Sequence, residues 1–237
     1  MALPSTLSRQ SFLSAFPFLT PEEFGCACRA FLDRIHVVND IDRVGWSSTR
    51  LVQEATGPVL KISQSTRNAS ARHYDNTLSR FVDIEEPQVE IYEDDPEALI
   101  RATDPPACLQ IEYSIVLSAT YQVPVLYFTL RRDNHPGPLG IDEVYQYLVP
   151  DQYRSELDNV GVMGGISFGY HPQSGIPAFF VHPCNTADAM SQIAGRQHVT
   201  PEAYLIIWLG MVGNRLSLHL PHELFATDGA QTLQGLG

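Results

Sequence analysis

The sequence has few positive charges, few cysteines and no long apolar run. Its 237 residues include 15 lysines and arginines against 27 aspartates and glutamates, which gives a net charge of −12. A nucleic-acid binder needs a basic face to neutralise phosphates, so this balance argues against that class. No stretch approaches the roughly 20 apolar residues of a membrane-spanning helix, and the N-terminus lacks the charged-then-apolar pattern of a signal peptide. We therefore expect a cytoplasmic protein.

The cysteines do not follow a metal-binding or disulfide pattern. The chain has four of them, Cys26, Cys28, Cys108 and Cys184, with no CxxC pair and no zinc-finger spacing. Without a secretory context, a disulfide framework is not expected either. We interpret all four as free thiols and expect no metal and no other cofactor.

The negative charge is concentrated in one segment. Residues 83–97 contain eight acidic side chains and no basic one. Such a run is either a solvated loop or a docking patch for a basic partner surface. Because few apolar residues precede it, the whole stretch of about 64–107 is predicted to be a flexible, partly acidic insertion.

An amphipathic helix is predicted at about residues 20–37. Thr20 is a good N-cap, Pro21 suits the first helical position and Glu23 completes a capping box. Apolar residues then recur on one stripe with a period of 3.6, and Cys28 lies on it. We expect Cys28 to be a core residue.

Two hairpins are predicted from turn composition and alternation. Residues 46–53 and 59–64 flank the turn sequence Ala-Thr-Gly-Pro. Residues 109–117 alternate between apolar and polar, whereas residues 123–130 are apolar on both faces, as in a central strand. Pro124 is then expected at the start of that strand or at a bulge.

The remaining patterns complete an α+β layout. Residues 176–181 predict the next strand of an antiparallel meander of four or more strands, and residues 141–148 and 152–157 predict short helical turns. A last helix begins at Thr200-Pro201. Its buried stripe is expected at Ala203, Ile206, Ile207, Gly210 and Met211. With helices packed on one side of the sheet, we expect a single domain over residues 1–237.

Cys184 is the candidate nucleophile. It follows the strand 176–181 and is enclosed by His182, Pro183 and Asn185. Strand ends are where folds tend to place reactive groups. His182 either favours the thiolate or merely satisfies a backbone group. The pattern alone leaves Cys184 open between a functional thiol and a buried core cysteine.

Three motifs around this cysteine resemble a known family. They are YQVPVLYF at 121–128, HPQSGIPAFFVHPCNT at 171–186, and a downstream stretch from Ile207-Trp208-Leu209 to Leu220-Pro221. In this order and spacing, covering about residues 110–221, the sequence is similar to the autophagy-related protein ten family. These are the ubiquitin-conjugating-type enzymes of the autophagy protein twelve conjugation system.

The resemblance implies a ubiquitin-conjugating-type core and a thioester-forming transferase. Cys184 would accept the ubiquitin-like autophagy protein twelve from the activating enzyme, autophagy protein seven. It would then pass this group to a lysine of autophagy protein five, a step in autophagosome formation. Thioester exchange needs little acid or base help, so holding the two reactants would supply most of the catalysis.

Other polar residues are candidates for assisting Cys184. His182 is its neighbour, and Tyr113 and Tyr121 belong to the second hairpin and present hydroxyls to the thiol or to a partner. Ordinary ubiquitin-conjugating enzymes carry an asparagine in a HisProAsn motif before the cysteine, whereas here the tripeptide is HisProCys. Asn134, in the turn after the central strand, is a candidate replacement. The catalytic candidates are therefore Cys184, His182, Tyr113 and Asn134.

Three alternatives stay open. The sister lipid-conjugating enzyme, of the autophagy protein three type, also has HisProCys, but this chain begins without a basic amphipathic face that would bind anionic lipid. A thiol hydrolase would pair Cys184 with His171, His182 or His198. A non-catalytic binding module of the same fold would keep its partner binding after Cys184→Ser.

Overall fold

The computed structural model shows a six-stranded sheet with helices packed against it. It describes residues 12–38, 44–66, 108–133, 137–158, 165–195 and 198–225. The strands are β1 Trp46–Glu54, β2 Gly57–Thr66, β3 Leu109–Leu117, β4 Pro124–Arg132, β5 Ile166–Tyr170 and β6 Pro177–Val181. The helices are α1 Pro21–Val37, α2 Ile141–Tyr147, α3 Asp151–Asp158, α4 Thr186–Ala194 and α5 Pro201–Gly213, with short 3-10 turns at Pro183–Asn185, Asn214–Leu216 and His222–Phe225.

All neighbouring strands of the sheet are antiparallel, in the order β1-β2-β3-β4-β6-β5. The predicted meander and the α+β class are confirmed, and Pro124 begins β4 as expected. β6 lies beside β4 as predicted, but the sequence interpretation missed β5, which pairs outside β6 and forms the sheet edge.

Helix α1 has the predicted start and the predicted buried face. The Thr20 side chain accepts from the Glu23 backbone N–H, and the Glu23 carboxylate accepts from the Thr20 N–H. Phe24, Cys28 and Phe31 are fully buried. Burial raises the pKa of the Cys28 thiol to about 12, so this cysteine stays a neutral core residue.

The buried face of α5 differs from the prediction. The residues expected to be buried were Ala203, Ile206, Ile207, Gly210 and Met211, and of these only Ile206 is buried. The helix is apolar on all sides, so its periodicity does not indicate which side packs inward. The larger side chains decide the orientation, and the core receives Tyr204, Leu205, Trp208, Leu209 and Val212.

The two faces of the sheet differ in character. The inner face, towards the helices, carries the cross-strand row Ile62, Tyr113, Phe128 and Phe179. We use the name outer face for the opposite side, which carries the row Lys61, Ser114, Tyr127 and Phe180. Successive residues of a strand point to opposite faces, so the register fixes these assignments.

Some sequence predictions fall outside the described residues. Most of the predicted insertion, residues 67–107, lies there, as does Asn134. Residues 64–66, which the prediction assigned to the insertion, belong instead to the end of β2. In the part of the chain that is described, no helix is long and apolar enough to cross a membrane.

Candidate active site

Cys184 lies exposed in a 3-10 turn that joins β6 to α4. Pro183 ends the strand because it has no N–H for the sheet ladder and its ring fixes φ for the first residue of the turn. The last hydrogen bond towards the edge strand is donated by the His182 N–H to the Gly165 carbonyl, at 3.1 Å. The thiol is therefore presented immediately beyond the end of a paired strand.

His182 holds the backbone of the nucleophile. Its Nδ1 accepts a hydrogen bond from the Cys184 N–H at 3.2 Å, which caps the turn. An accepting Nδ1 requires the neutral imidazole with its proton on Nε2. The ring is packed edge-on against Tyr121, with 5.7 Å between the ring centroids, and lies 6.3 Å from the ring of Phe180. The sequence paired His182 with Cys184, and the structure assigns it a positioning contact.

The N-terminus of α4 lies next to the nucleophile. The 3-10 turn continues directly into this helix, whose first residue, Thr186, is buried. The Thr186 N–H donates to the Pro183 carbonyl, and the positive end of the helix dipole is close to Cys184. This arrangement favours negative charge that develops on the sulfur or on an oxygen bonded at the attacked carbon.

No imidazole base is paired with this thiol among the described residues. The Cys184 Sγ makes no hydrogen bond within them, and His182 uses Nδ1 for the backbone. His171 packs against Tyr127, with 5.0 Å between ring centroids, and His198 packs against Phe12 at 4.7 Å. The described residues therefore do not assemble the Cys-His pair that a thiol hydrolase requires.

Tyr113 corrects the sequence expectation. Its side chain is fully buried on the inner face, and its hydroxyl donates to the Leu216 carbonyl at 2.7 Å. Burial also raises the pKa of this phenol far above its usual range. The hydroxyl is committed to the Leu216 carbonyl in the core, so the structure gives it a packing role.

Tyr121 is the tyrosine that the structure brings to the site. It lies in the turn between β3 and β4, 41% exposed, with its ring against His182. The sequence interpretation weighed it only as one of two hydroxyls on the hairpin. Alternation along β6 would have placed Phe180 and His182 on one face, but the approach of Tyr121 depends on pairing between strands that the sequence does not specify.

The chain matches a known protein family over most of its length. Residues 23–223 match the family described as "Autophagocytosis associated protein, active-site domain". Among the described residues, this segment contains the complete sheet, α1 from its third residue, the helices α2 to α5 and the Cys184 turn.

Curated relatives and a solved structure are also similar. A Gibberella zeae protein named "Ubiquitin-like-conjugating enzyme ATG10" is 42% identical over 154 residues, which are 61% of this chain and 64% of the relative. A human protein of the same name is 34% identical over 48% of this chain and 51% of its own length. An Arabidopsis thaliana protein of that name is 28% identical over 87% of this chain and 94% of its own length. The alignments thus span less than two thirds of the Gibberella and human proteins. A structure titled "Crystal structure of Autophagic E2, Atg10" is similar with a TM-score of 0.49 and 14% identity, over 85% of this chain and 99% of that one.

Proposed function

We propose that this chain, which belongs to the autophagocytosis-associated protein family with an active-site domain, is a conjugating enzyme that carries a ubiquitin-like protein as a thioester on Cys184. The observation that carries the proposal is the exposed thiol in a capped turn at the end of β6, without a paired imidazole in the described residues. A nucleophile that exchanges thioesters needs access and a fixed position more than it needs a base.

The chemistry consists of two acyl transfers. The Cys184 thiolate attacks the thioester carbonyl of the charged activating enzyme, a new carbon–sulfur bond forms, and the cysteine of the activating enzyme leaves as a thiolate. A lysine amine of the acceptor then attacks the new thioester. The amide bond forms, Cys184 leaves as a thiolate, and the amine proton passes to solvent. The second step regenerates the free Cys184 thiolate, and neither step requires a cofactor.

The described residues around Cys184 position and stabilise rather than exchange protons. His182 caps the Cys184 N–H and is braced by the ring of Tyr121. The N-terminus of α4 favours the oxyanion of each tetrahedral intermediate. Holding the amine and the carbonyl carbon at about 3 to 3.5 Å is worth roughly 7 to 11 kcal/mol in favourable cases, so positioning is sufficient to account for the main part of the catalysis.

The proposed donor is the ubiquitin-like autophagy protein twelve, delivered by the activating enzyme, autophagy protein seven. The proposed acceptor is a lysine of autophagy protein five. The motif resemblance around 121–128 and 171–186 and the names of the relatives support this assignment. The alternative function, a lipid-conjugating enzyme of the autophagy protein three type, has no comparable support among the matches given above.

The sheet edge is the proposed surface for the acceptor. β5 is an edge strand that contains no charged residue, and Phe168 and Tyr170 on it are 67% and 75% exposed. Among the described residues β5 pairs with no strand on its other side, and an uncharged edge of this kind suits the addition of a partner strand. The hydrogen bond from His182 to Gly165 shows that this edge begins beside the nucleophile's turn.

A reconstituted transfer reaction tests the donor and the acceptor together. The mixture contains activating enzyme, ATP, protein twelve and this chain, and the acceptor is either protein five or vesicles that contain phosphatidylethanolamine. We expect a conjugate of proteins twelve and five that survives reductant, and no lipid conjugate. Ubiquitin in place of protein twelve serves as the donor control. A lipid conjugate without a protein conjugate would favour the sister enzyme, and cleavage of model thioesters without activating enzyme would favour a hydrolase.

A further inference from the structure

A second concave site lies on the outer face, away from Cys184. It is formed where the turn between β5 and β6 folds over the strands β2, β3 and β4. His171 begins this turn, and its N–H donates to the Ile176 carbonyl at 2.9 Å. The polar and charged side chains of the cleft include Lys61, Glu112, Ser114, Arg131, His171 and Ser174.

His171 presents a hydrogen-bond donor that has no acceptor among the residues that the structure describes. Its Nδ1 accepts from the backbone N–H groups of Gln173 and Ser174, both at 3.3 Å, so the ring proton is on Nε2. The residue is only 7% exposed, and among the described residues Nε2 has no partner. Burial, together with the positive charge of Lys61, lowers the pKa of this imidazole and favours its neutral form. A buried donor without a partner costs free energy that an entering acceptor recovers.

The charged groups in the cleft favour an anion of low charge. Lys61 and Arg131 line the cleft with two cations, and Glu112 lines it with a carboxylate that lies 4.0 Å from Lys61 and 3.9 Å from Arg50. The carboxylate of Glu54 does not line the cleft but also acts on His171. The Lys61 side chain is 20% exposed, whereas that of Glu112 is 47% exposed. With Arg50 and Glu54 included, three cations stand against two carboxylates, so the surroundings of the cleft are positive by one charge in a chain whose net charge is −12. One surplus positive charge is neutralised by a singly charged carboxylate, whereas a doubly charged phosphate would leave an excess negative charge in the cleft.

We infer that this cleft binds the carboxylate of an aspartate or glutamate in an extended segment of a partner protein. Lys61 and Arg131 provide the charge, and His171 Nε2–H provides a neutral donor. Carboxylate oxygens only accept hydrogen bonds, and charge-assisted bonds to them are among the stronger ones. That the partner is a protein rests on the proposed function. The binding of a carboxylate rests only on the side chains of the cleft.

The position of the cleft relates it to the nucleophile. β6 runs from Ala178, beside the cleft, to His182, and Phe180 and His182 face the same side as the cleft. Four residues of strand span about 13 Å. An extended partner segment whose acidic residue occupies the cleft therefore places a residue about four positions away next to the Cys184 turn.

The test is a binding measurement that requires no activating enzyme. The probe is the peptide acetyl-Gly-Ser-Asp-Ser-Gly-amide, titrated at low salt into the isotope-labelled full chain, with the peptide that carries Asn in place of Asp as its control. Binding is followed by the NMR shifts of the His171 ring and of the backbone around Lys61 and Arg131. We expect the Asp peptide to shift these signals and the Asn peptide to bind about tenfold more weakly or not at all.

Three charge variants separate the cleft from general electrostatics. Lys61→Gln and Arg131→Gln are each expected to weaken binding of the Asp peptide about tenfold. Arg50→Gln is the matched control, because Arg50 lies opposite Lys61 in the register of β1 and β2 but does not line the cleft. This substitution is expected to weaken binding of the Asp peptide less than about twofold. Equal binding of the two peptides, or equal loss in all three variants, would overturn the inference. A thioester assay on the same variants reports on the proposed function separately, because thioester formation and peptide binding fail independently.

Discussion

Tyr113→Phe removes one hydroxyl from the core and leaves the ring in place. The hydroxyl donates to the Leu216 carbonyl at 2.7 Å, and both residues are fully buried. The substitution deletes a buried hydrogen bond and leaves a buried carbonyl without that donor, which is worth about 2 kcal/mol of unfolding free energy. With an m-value of about 2.5 kcal/mol/M, the urea midpoint is expected to fall by about 0.8 M.

The matched control is Tyr121→Phe, which removes a hydroxyl from an exposed tyrosine and keeps the ring against His182. Its unfolding free energy is expected to change by less than about 0.5 kcal/mol. Urea unfolding of both variants measures stability, and single-turnover thioester formation under conditions where both are folded measures chemistry. The account requires Tyr113→Phe to be less stable and normally active. A variant of unchanged stability that no longer forms the thioester would refute the core role of Tyr113.

Two further predictions concern the nucleophile's turn and the start of α1. His182→Ala is expected to slow thioester formation about tenfold, because the Cys184 N–H loses its cap, whereas His182→Asn keeps a side-chain acceptor and most of the rate. Equal single-turnover rates for wild type, His182→Ala and His182→Asn would contradict this role. At Glu23, burial opposes ionisation, but hydrogen bonds from Thr20 and Ser14 outweigh it and lower the pKa of the carboxyl. A lowered folded pKa stabilises the fold above the unfolded value of about 4.3, and that contribution is lost as the pH falls through the folded pKa. Wild type is therefore expected to have a higher urea midpoint than Glu23→Gln at pH 7, and this difference is expected to disappear between about pH 5 and pH 3. A difference that does not vary with pH would show that the carboxylate is not responsible.

Signals that lie within a few residues predicted their elements well. The capping box at Thr20 and Glu23 and the position of Pro124 appear in the structure as predicted. The hairpin at the predicted turn 55–58 appears too, although Gly57 and Pro58 already belong to β2. Each depends on backbone chemistry that is local to the turn or helix end. The apolar stripe that placed Cys28 in the core is likewise a property of one helix.

The errors arise where several elements meet. An entirely apolar helix such as α5 has no preferred face until its neighbours are in place, and the edge strand β5 is short and contains Gly169. Tyr113 shares its face with Ile111 and Ile115, so alternation alone would have predicted a buried side chain.

The candidate site was partly predictable. The strand end, the proline and the neighbouring histidine identify Cys184 as a candidate from one continuous segment. The cap from His182 to the Cys184 N–H requires the backbone geometry of the turn, and the contact with Tyr121 requires the turn between β3 and β4 to lie beside β6. Long-range placement of this kind depends on strand order, which the motif spacing does not encode.

The most direct measurement of the central claim is a charging assay on three versions of the full chain: wild type, Cys184→Ser and Cys184→Ala. Each is incubated with activating enzyme, ATP and the ubiquitin-like donor, and the products are separated with and without reductant. A thioester on Cys184 predicts a reductant-sensitive adduct on wild type, a reductant-resistant oxyester on the serine variant, and no adduct on the alanine variant. No adduct on wild type, or an adduct that persists on the alanine variant, would contradict the assignment of Cys184 as the acyl carrier and favour a binding module.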